Sequence, residues 1–203
     1  MFALAYVYIL SVPYYYNPQI HNLGNIGFGG NIHAILSPIA RRVIDTISYN
    51  GKNIRKDIML EYSDKKILDL CCGIGDSTGK FGTGVDTSKA MIRMAKIFNR
   101  DKEFYIGNAE TIVPSEEFDI VSCMFAFHEM PLDAQNRVIK NAIKIAKKEV
   151  IIIDIASNYN PKEIMLDGEP YLLNYLCNID NILSNFDKTI YIDNHVNIWK
   201  LKK

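Results

Sequence analysis

Two aspartates and two glycines that lie close together in the chain are the residues best suited to bind a nucleoside-type ligand. Asp69 lies in an apolar run that leads to Gly73 and Gly75, and Asp86 ends a second short run. Glycine permits positive φ and lets a ligand approach the backbone closely. In open α/β sheets, ligands bind outside the carboxyl ends of the strands. The spacing therefore predicts a ligand crevice at the ends of two buried, parallel strands.

A histidine that follows a later apolar run is the candidate for proton transfer. His128 comes after residues 118–125, and its unperturbed pKa near neutrality suits a general base. The alternative is a structural histidine or a helix cap. Asp154 ends another apolar run and faces the same pocket or shapes the turn that follows it. The four cysteines have no paired CxxC spacing, so we expect no metal site and reduced thiols in the cytoplasm.

The elements that must position these residues follow from hydrophobic periodicity. Helical patterns alternate with short β-branched runs, which predicts an α/β fold with a Rossmann-like, doubly wound, mostly parallel sheet. Only about ten residues separate the first two strands, so we expect a very short or distorted first helix. The last two runs predict an antiparallel hairpin. The predicted strands are 66–70, 82–86, 103–106, 118–125, 150–155, 189–192 and 196–201.

The helices are predicted from apolar residues at helical spacing. In the N-terminal extension this spacing runs from Ile32 to Ile47, and the regular part of the helix is expected to begin with Ser37 as N-cap and Pro38 in the first helical position. Thr87 or Ser88 is expected to cap the helix after the second strand. A later helix is predicted to end in Lys147 and Lys148, and another to begin at Asn160 and Pro161.

Length and charge limit the organisation of the chain. With 203 residues, it suits one α/β domain, residues 63–203, preceded by a loop and helical extension, residues 1–62. The extension is expected to cover the pocket or to bind a partner protein. The net charge is zero, which gives no strong signal for nucleic acid. The apolar run 1–12 is shorter than the ~20 residues of a transmembrane segment.

The order of four short motifs is more specific than any one of them. Residues 67–75 resemble the glycine-rich motif of class I S-adenosylmethionine-dependent methyltransferases, and 84–91, 107–110 and 118–121 resemble the motifs that follow it. The two adjacent cysteines, with a histidine after the fourth strand, are similar to the ubiquinone and menaquinone methyltransferase branch. The resemblance implies S-adenosylmethionine as cofactor and methyl transfer to a small-molecule acceptor.

The resemblance also implies roles for individual residues. Asp69 would attract the methionine ammonium, directly or through water, and Asp86 would accept hydrogen bonds from both ribose hydroxyls. Met91 would lie over the adenine, and Asn108 and Ala109 would contact its edge. The implied cofactor contacts are Asp69, Cys71, Gly73, Gly75, Asp86, Thr87, Met91, Asn108, Ala109 and Met124.

The sequence departs from the motifs of this family at three points. Cys71 stands at the first glycine position, Asn108 stands where an aspartate is common, and the first crossover is short.

Three other functions are alternatives to a small-molecule methyltransferase. A binding or scaffold protein that keeps the fold without turnover is one alternative, and a protein methyltransferase is another. A nicotinamide dehydrogenase is disfavoured because the G-x-G-x-x-G spacing is absent. No Asn/Asp-Pro-Pro-aromatic string follows the fourth strand, so the usual signature of amino-group methylation on adenine or glutamine is missing.

Overall fold

Seven strands form a sheet in a computed structural model that describes residues 27–203. The strand order is β3-β2-β1-β4-β5-β7-β6; β1 to β5 are parallel, and β7 runs antiparallel to both β5 and β6. The Rossmann-like, doubly wound sheet and its C-terminal hairpin are thus confirmed. The strands are β1 Ile67–Leu70, β2 Gly82–Asp86, β3 Glu103–Ile106, β4 Phe118–Met124, β5 Ala146–Ile155, β6 Asp187–Ile192 and β7 Val196–Lys202.

Six helices and a short 3-10 helix, Phe127–Glu129, accompany the strands within residues 27–203. Turns alone connect β1 to β2, so the distorted first crossover expected from its length is confirmed. Ser88 caps α3, since its hydroxyl accepts a hydrogen bond from the backbone N–H of Met91. The helices are α1 Gly27–Ser48, α2 Ile54–Leu60, α3 Lys89–Phe98, α4 Leu132–Ile145, α5 Glu163–Gly168 and α6 Leu172–Ile182.

The central strands are buried on both faces. Their sequences are therefore continuous apolar runs and do not alternate between apolar and polar residues. Leu68 and Leu70 of β1 face the cluster that includes residues of α4 and α6. Ile67 points to the opposite face, where Ile54 and Ile58 of α2 pack on it. This burial holds the carboxyl ends of the strands in fixed relative positions.

The N-terminal helix begins earlier than its sequence predicts. Ser37 is not its N-cap, because α1 starts at Gly27 and contains Pro38 in its interior. Proline has no N–H to donate to the helix, and the Ser37 hydroxyl instead donates to the carbonyl of His33 at 2.7 Å. Gly30 and Ala34 are buried on the same side of the helix. Packing against α3 therefore offsets the cost of the proline.

Two other predicted boundaries are wrong. Lys147 and Lys148 do not end α4, because β5 begins at Ala146 and pairs there with Phe118 of β4. The helix expected at Asn160 begins instead at Glu163, with Lys162 at the N-cap position. The first shift arises from the pairing of β5 with β4, which local residue preferences do not report.

The outer face of α1 is apolar and open to solvent. This is the reverse of an ordinary surface helix, which buries its apolar stripe. Small and polar residues face the protein, while Ile47 is 77% exposed and Phe28 81% exposed. No helix within residues 27–203 is both long and apolar enough to cross a bilayer. The exposed apolar residues of α1 are Phe28, Ile35, Leu36, Ile39, Val43, Ile44 and Ile47.

Candidate functional site

The carboxylate of Asp86, at the end of β2, is hydrogen-bonded to the turn that follows β1. Asp86 Oδ2 accepts a hydrogen bond from the backbone N–H of Gly73 at 2.9 Å, and Oδ1 accepts one from Ser88 at 2.8 Å. Burial raises the pKa of Asp86, and these backbone donors, with that of Thr87, oppose the rise. Each carboxylate oxygen offers two acceptor positions. These hydrogen bonds, called here the Asp86–Gly73 clamp, therefore leave further acceptor positions on the carboxylate for a ligand.

The turn after β1 is built from left-handed backbone. Gly73 has φ +53° and Gly75 has φ +84°. A Cβ at Gly75 would lie 2.5 Å from the ring of Phe104, whereas the space beside Gly73 is open. Cys71 adopts φ +58°, the conformation that makes glycine usual at such a position. The turn therefore presents open backbone at Gly73 and carries strain at Cys71.

Asp69 is fully buried and holds the turn to the sheet. Its Oδ2 accepts hydrogen bonds from Ser77 at 2.8 Å and Thr78 at 2.7 Å, and its Oδ1 accepts one from Ser122 at 3.2 Å. Burial raises the pKa of Asp69 to about 6, and the three hydroxyls oppose that rise. Sequence reasoning missed these hydroxyl partners. The sequence feature that could have identified two of them is the pair of hydroxyl residues eight and nine positions after Asp69.

The expected adenine contacts lie near the same crevice but have their own local roles. Asn108 Oδ1 accepts a hydrogen bond from the backbone N–H of Glu110 at 2.8 Å, which forms an Asx turn. The carbonyl of Ala109 accepts one from Asn141 at 2.9 Å. Met91 packs with Ile74 of the glycine turn. These contacts position the residues, and their adenine contacts stay predictions.

Met124 ends β4 on the face of the sheet that α2 covers. Its side chain is buried in a cluster with Tyr49 and Ile54. The structure thus places Met124 beside the N-terminal helices, and its contact with a cofactor stays a prediction.

Thr87 lies between Asp86 and the cap residue Ser88, where it adds one of the backbone donors to the clamp.

His128 forms a buried pair with Asp154 at the ends of β4 and β5. Its Nδ1 lies 2.5 Å from Asp154 Oδ1, and Asp154 Oδ2 accepts a hydrogen bond from the N–H of Phe127 at 2.8 Å. Burial favours the neutral ring, but the charge and hydrogen bond of Asp154, aided by Glu129 and Glu169, raise the pKa of His128 to about 9. The pKa of His128 is thus raised above its unperturbed value, and its role as a base stays a prediction.

Two arginines from the N-terminal helices reach the same end of the sheet, and sequence reasoning missed both. Arg41 of α1 forms an ion pair with Asp76 of the glycine turn. Arg55 of α2 lies over the ring of Phe125, with its guanidinium carbon 4.3 Å from the ring centroid. Asp45 lies near Arg55, with 3.8 Å between Asp45 Oδ1 and Arg55 Nη1.

Within the described residues, no cluster of three His, Cys, Asp or Glu side chains could hold a metal.

Comparison with known proteins agrees with this geometry. Residues 67–149 match the family model described as "Methyltransferase domain". A demethylmenaquinone methyltransferase of Thermotoga maritima is 26% identical over 110 residues, which are 49% of this chain and 47% of that protein. An uncharacterised methyltransferase of Synechocystis is 29% identical over 127 residues, 57% of this chain and 58% of that one. The chain thus spans about half the length of these curated relatives.

A solved structure shares the fold over most of the chain. The magnesium protoporphyrin IX methyltransferase of Synechocystis PCC 6803, solved with bound SAM, covers 89% of this chain and 86% of its own, with a TM-score of 0.53 and 15% identity. The strand order, the glycine turn and the family match agree with one another. Residues 67–149 are thus similar to methyltransferase domains, and the chain shares its fold with a solved methyltransferase.

Proposed function

We propose that this protein is a methyltransferase that binds S-adenosylmethionine and methylates a small-molecule acceptor. The observation that carries the proposal is the Asp86–Gly73 clamp, because it lies at the carboxyl ends of β1 and β2, beside the point where the strand order reverses. Relatives that methylate small molecules support the choice of acceptor class.

The residues of the crevice fit the cofactor. Asp86 keeps acceptor positions for ribose hydroxyls, and the open space beside Gly73 accepts the backbone-like methionine portion. Met91 supplies an apolar surface beside the turn for the adenine. When bound, S-adenosylmethionine supplies an activated methyl group.

The chain's contribution to the reaction is mainly positioning. Methyl transfer from a sulfonium needs the acceptor in line with the methyl group, and orientation supplies much of the rate. Asp69 holds Ser77 and Thr78 of the turn in place, so the turn is organised before the cofactor arrives. A direct or water-mediated attraction between Asp69 and the methionine ammonium is part of the proposal.

His128 is proposed to act on the acceptor side of the crevice. A catalytic role as a base requires a neutral ring, but the pair with Asp154 favours the protonated ring at neutral pH. The geometry supports a positioning role, since Asp154 also binds the backbone of Phe127 just after β4. The same carboxylate thus fixes both the ring of His128 and the start of the 3-10 helix.

Calorimetry tests the cofactor assignment directly. S-adenosylmethionine and S-adenosylhomocysteine are each titrated into the protein, with adenosine as a matched control ligand that lacks the methionine portion. Both cofactor forms are expected to bind more tightly than adenosine. Absence of heat and of thermal stabilisation with both forms would refute the function. Binding without methyl transfer to any small-molecule acceptor would instead support a scaffold protein.

The exposed face of α1 supports a second part of the proposal, an interface with a second copy of this chain. Its seven exposed apolar side chains lie on one helix. Exposed apolar patches commonly mark protein–protein interfaces. A single helix stripe can pair with itself about a two-fold axis. A cytoplasmic location is also proposed, and the four free thiols support it.

A further inference from the structure

The thiols of Cys71 and Cys123 lie side by side at the ends of β1 and β4. Leu70, the last residue of β1, pairs in parallel register with Cys123. Neighbouring strands are ~4.8 Å apart and each residue advances ~3.3 Å, so the Cα atoms of Cys71 and Cys123 are about 6 Å apart. Both side chains contact the same apolar cluster, and the Cys71 thiol is hydrogen-bonded to that of Cys123. Disulfides bridge Cα separations of ~4.4–6.8 Å, so this pair can form one without a large backbone movement.

Cys72 is next to Cys71 in the sequence but is not its partner in the fold. Its side chain packs in a separate cluster with Ile92 of α3, and its Sγ donates to the carbonyl oxygen of Gly73 at 3.7 Å. The fourth cysteine, Cys177, is exposed on α6. The fold therefore selects one pair among the four cysteines of the chain.

Cys71 is the member of the pair that solvent can reach. Its side chain is only partly buried, whereas Cys123 is 1% exposed and Cys72 is 3% exposed. The hydrogen bond with Cys71 and burial raise the pKa of Cys123, and burial raises the pKa of Cys72. The thiolate is the reactive form of cysteine, so both buried thiols are unreactive toward solvent at neutral pH. An oxidant therefore meets Cys71 first.

Cys71 occupies a backbone conformation that favours glycine. Its φ is +58°, which a cysteine adopts at a conformational cost. Strain of this kind clusters at functional sites. Two residues further on, the N–H of Gly73 donates to Asp86, so the thiol lies in the turn that organises the crevice. A change at this thiol therefore acts directly on the turn.

We propose that Cys71 is a site of reversible oxidation by hydroperoxides and that Cys123 converts the oxidised side chain to a disulfide. With hydrogen peroxide, the sulfur of Cys71 loses its proton and attacks one peroxide oxygen; the O–O bond breaks, and a sulfenic acid and water form. The sulfur of Cys123 then attacks the sulfur of Cys71, and the S–O bond breaks. The hydroxyl leaves with the proton of Cys123 as a second water. The two thiols thus supply the two electrons that reduce the peroxide, and contact between the sulfurs gives the second step a high effective concentration.

The disulfide is expected to weaken cofactor binding, a step that rests on the proposed function. Forming the bond draws the two sulfurs closer than their hydrogen-bonded contact, so Cys71 moves toward β4. Asp86 holds Gly73 on the β2 side of the turn, and the turn is distorted between these two attachments. Disulfides in reducing compartments are mostly transient and redox-sensing, so a thiol reductant should restore the turn.

Peptide mapping after peroxide treatment tests the proposal. The reduced protein is treated with hydrogen peroxide, free thiols are blocked with iodoacetamide, and an unreduced digest is mapped by mass spectrometry. We expect a disulfide between Cys71 and Cys123 that dithiothreitol removes. Cys123→Ala and Cys123→Val should each lack the disulfide and retain at Cys71 a sulfenic acid that dimedone traps. Cys72→Ala and Cys177→Ser are the matched controls and should form the disulfide as the wild type does.

Three mapping results would overturn the proposal. These are a disulfide that joins Cys71 to Cys72, oxidation of Cys177 with Cys71 unmodified, or a sulfenic acid that persists at Cys71 in the wild type. The first would show that adjacency in the chain outweighs the contact across the strands, and the last would show that Cys123 does not react with the oxidised side chain.

Calorimetry measures the effect on the cofactor. The oxidised protein should bind S-adenosylhomocysteine more weakly by roughly threefold or more, because strain in the turn opposes the bound geometry. Dithiothreitol should restore the affinity of the reduced protein. Equal affinities of the two forms would overturn the link between the disulfide and the cofactor turn. Failure of the reduced wild type to bind S-adenosylhomocysteine would refute the proposed function and leave the mapped disulfide intact.

Discussion

The carboxylate of Asp86 accepts a hydrogen bond from the backbone N–H of Gly73 at 2.9 Å, and so joins the end of β2 to the turn after β1. The same carboxylate accepts a hydrogen bond from Ser88, the residue that caps α3. One side chain therefore fixes the glycine turn and the following helix relative to each other. Its remaining acceptor positions are the ones proposed to bind the ribose.

Asp86→Ala is expected to weaken S-adenosylhomocysteine binding by roughly 1.5 to 3 kcal/mol, the range for hydrogen bonds to a charged group. The loss combines the ribose contact with the organisation of the turn. Calorimetry at neutral pH measures it. Asp101→Ala, at an exposed position, is the matched control and should bind as the wild type does. An unchanged affinity of Asp86→Ala would contradict the assigned ribose contact.

Thr78→Val is expected to destabilise the protein by roughly 1 to 3 kcal/mol. The substitution keeps the shape of the side chain but removes the hydroxyl that donates to Asp69 at 2.7 Å, so a buried carboxylate loses one of its three partners. Urea unfolding measures the change. Thr111→Val, at an exposed position, is the control and should differ from the wild type by less than about 0.5 kcal/mol. Equal stability of the two variants would show that Asp69 does not depend on this hydroxyl.

Cys71→Gly is expected to stabilise the protein by about 0.5 to 1 kcal/mol, since a left-handed backbone costs a non-glycine residue about 1 to 2 kcal/mol. The same substitution at Cys177, which is exposed in the middle of α6, should have the opposite sign and cost about 1 kcal/mol. Urea unfolding of both variants gives the comparison. A destabilised Cys71→Gly would mean that the partial packing of the thiol outweighs the relief of backbone strain.

The sheet could be predicted from the sequence because its strands are buried on both faces. Each appears as a short apolar run, and the predicted bounds of β2, Gly82–Asp86, and β3, Glu103–Ile106, match the structure to the residue. Glycines at 73 and 75 identified the turn, because few other residues adopt its backbone conformation readily. These features depend on neighbours in the sequence.

The parts that could not be predicted depend on contacts between distant segments. The pairing of Phe118 with Ala146 extends β5 into residues that carry a helical C-terminal signal. The pKa of His128 depends on Asp154, 26 residues away, whose charge and hydrogen bond raise it. Arg55 meets Phe125 across 70 residues of chain, and nothing in the local sequence of either residue indicates that contact.

The exposed apolar face of α1 is expected to hold two copies of the chain together. Ile39→Glu with Ile47→Glu should convert a dimer to a monomer, because a charge buried in an apolar interface lacks a partner. Sedimentation equilibrium measures the mass. Ile164→Glu, at an exposed apolar position of α5, is the control and should leave the mass unchanged. A wild-type protein that is monomeric at high micromolar concentration would contradict the interface.

The His128–Asp154 pair is expected to make stability fall as pH rises. The folded-state pKa of His128, about 9, lies above its ordinary value of 6.5. The stabilisation is therefore fully present below pH 6.5 and is lost as pH rises through 9. The wild type should exceed His128→Asn by an amount that falls by on the order of 3 kcal/mol between pH 6 and pH 10. Urea unfolding across this range measures the difference.

His195→Asn is the control of opposite sign, because burial lowers the pKa of His195 and its contribution is lost as pH falls. A pH-independent difference for His128→Asn would show that folding does not raise the pKa of His128, so that the ring is mostly neutral above pH 7 and is again a candidate base.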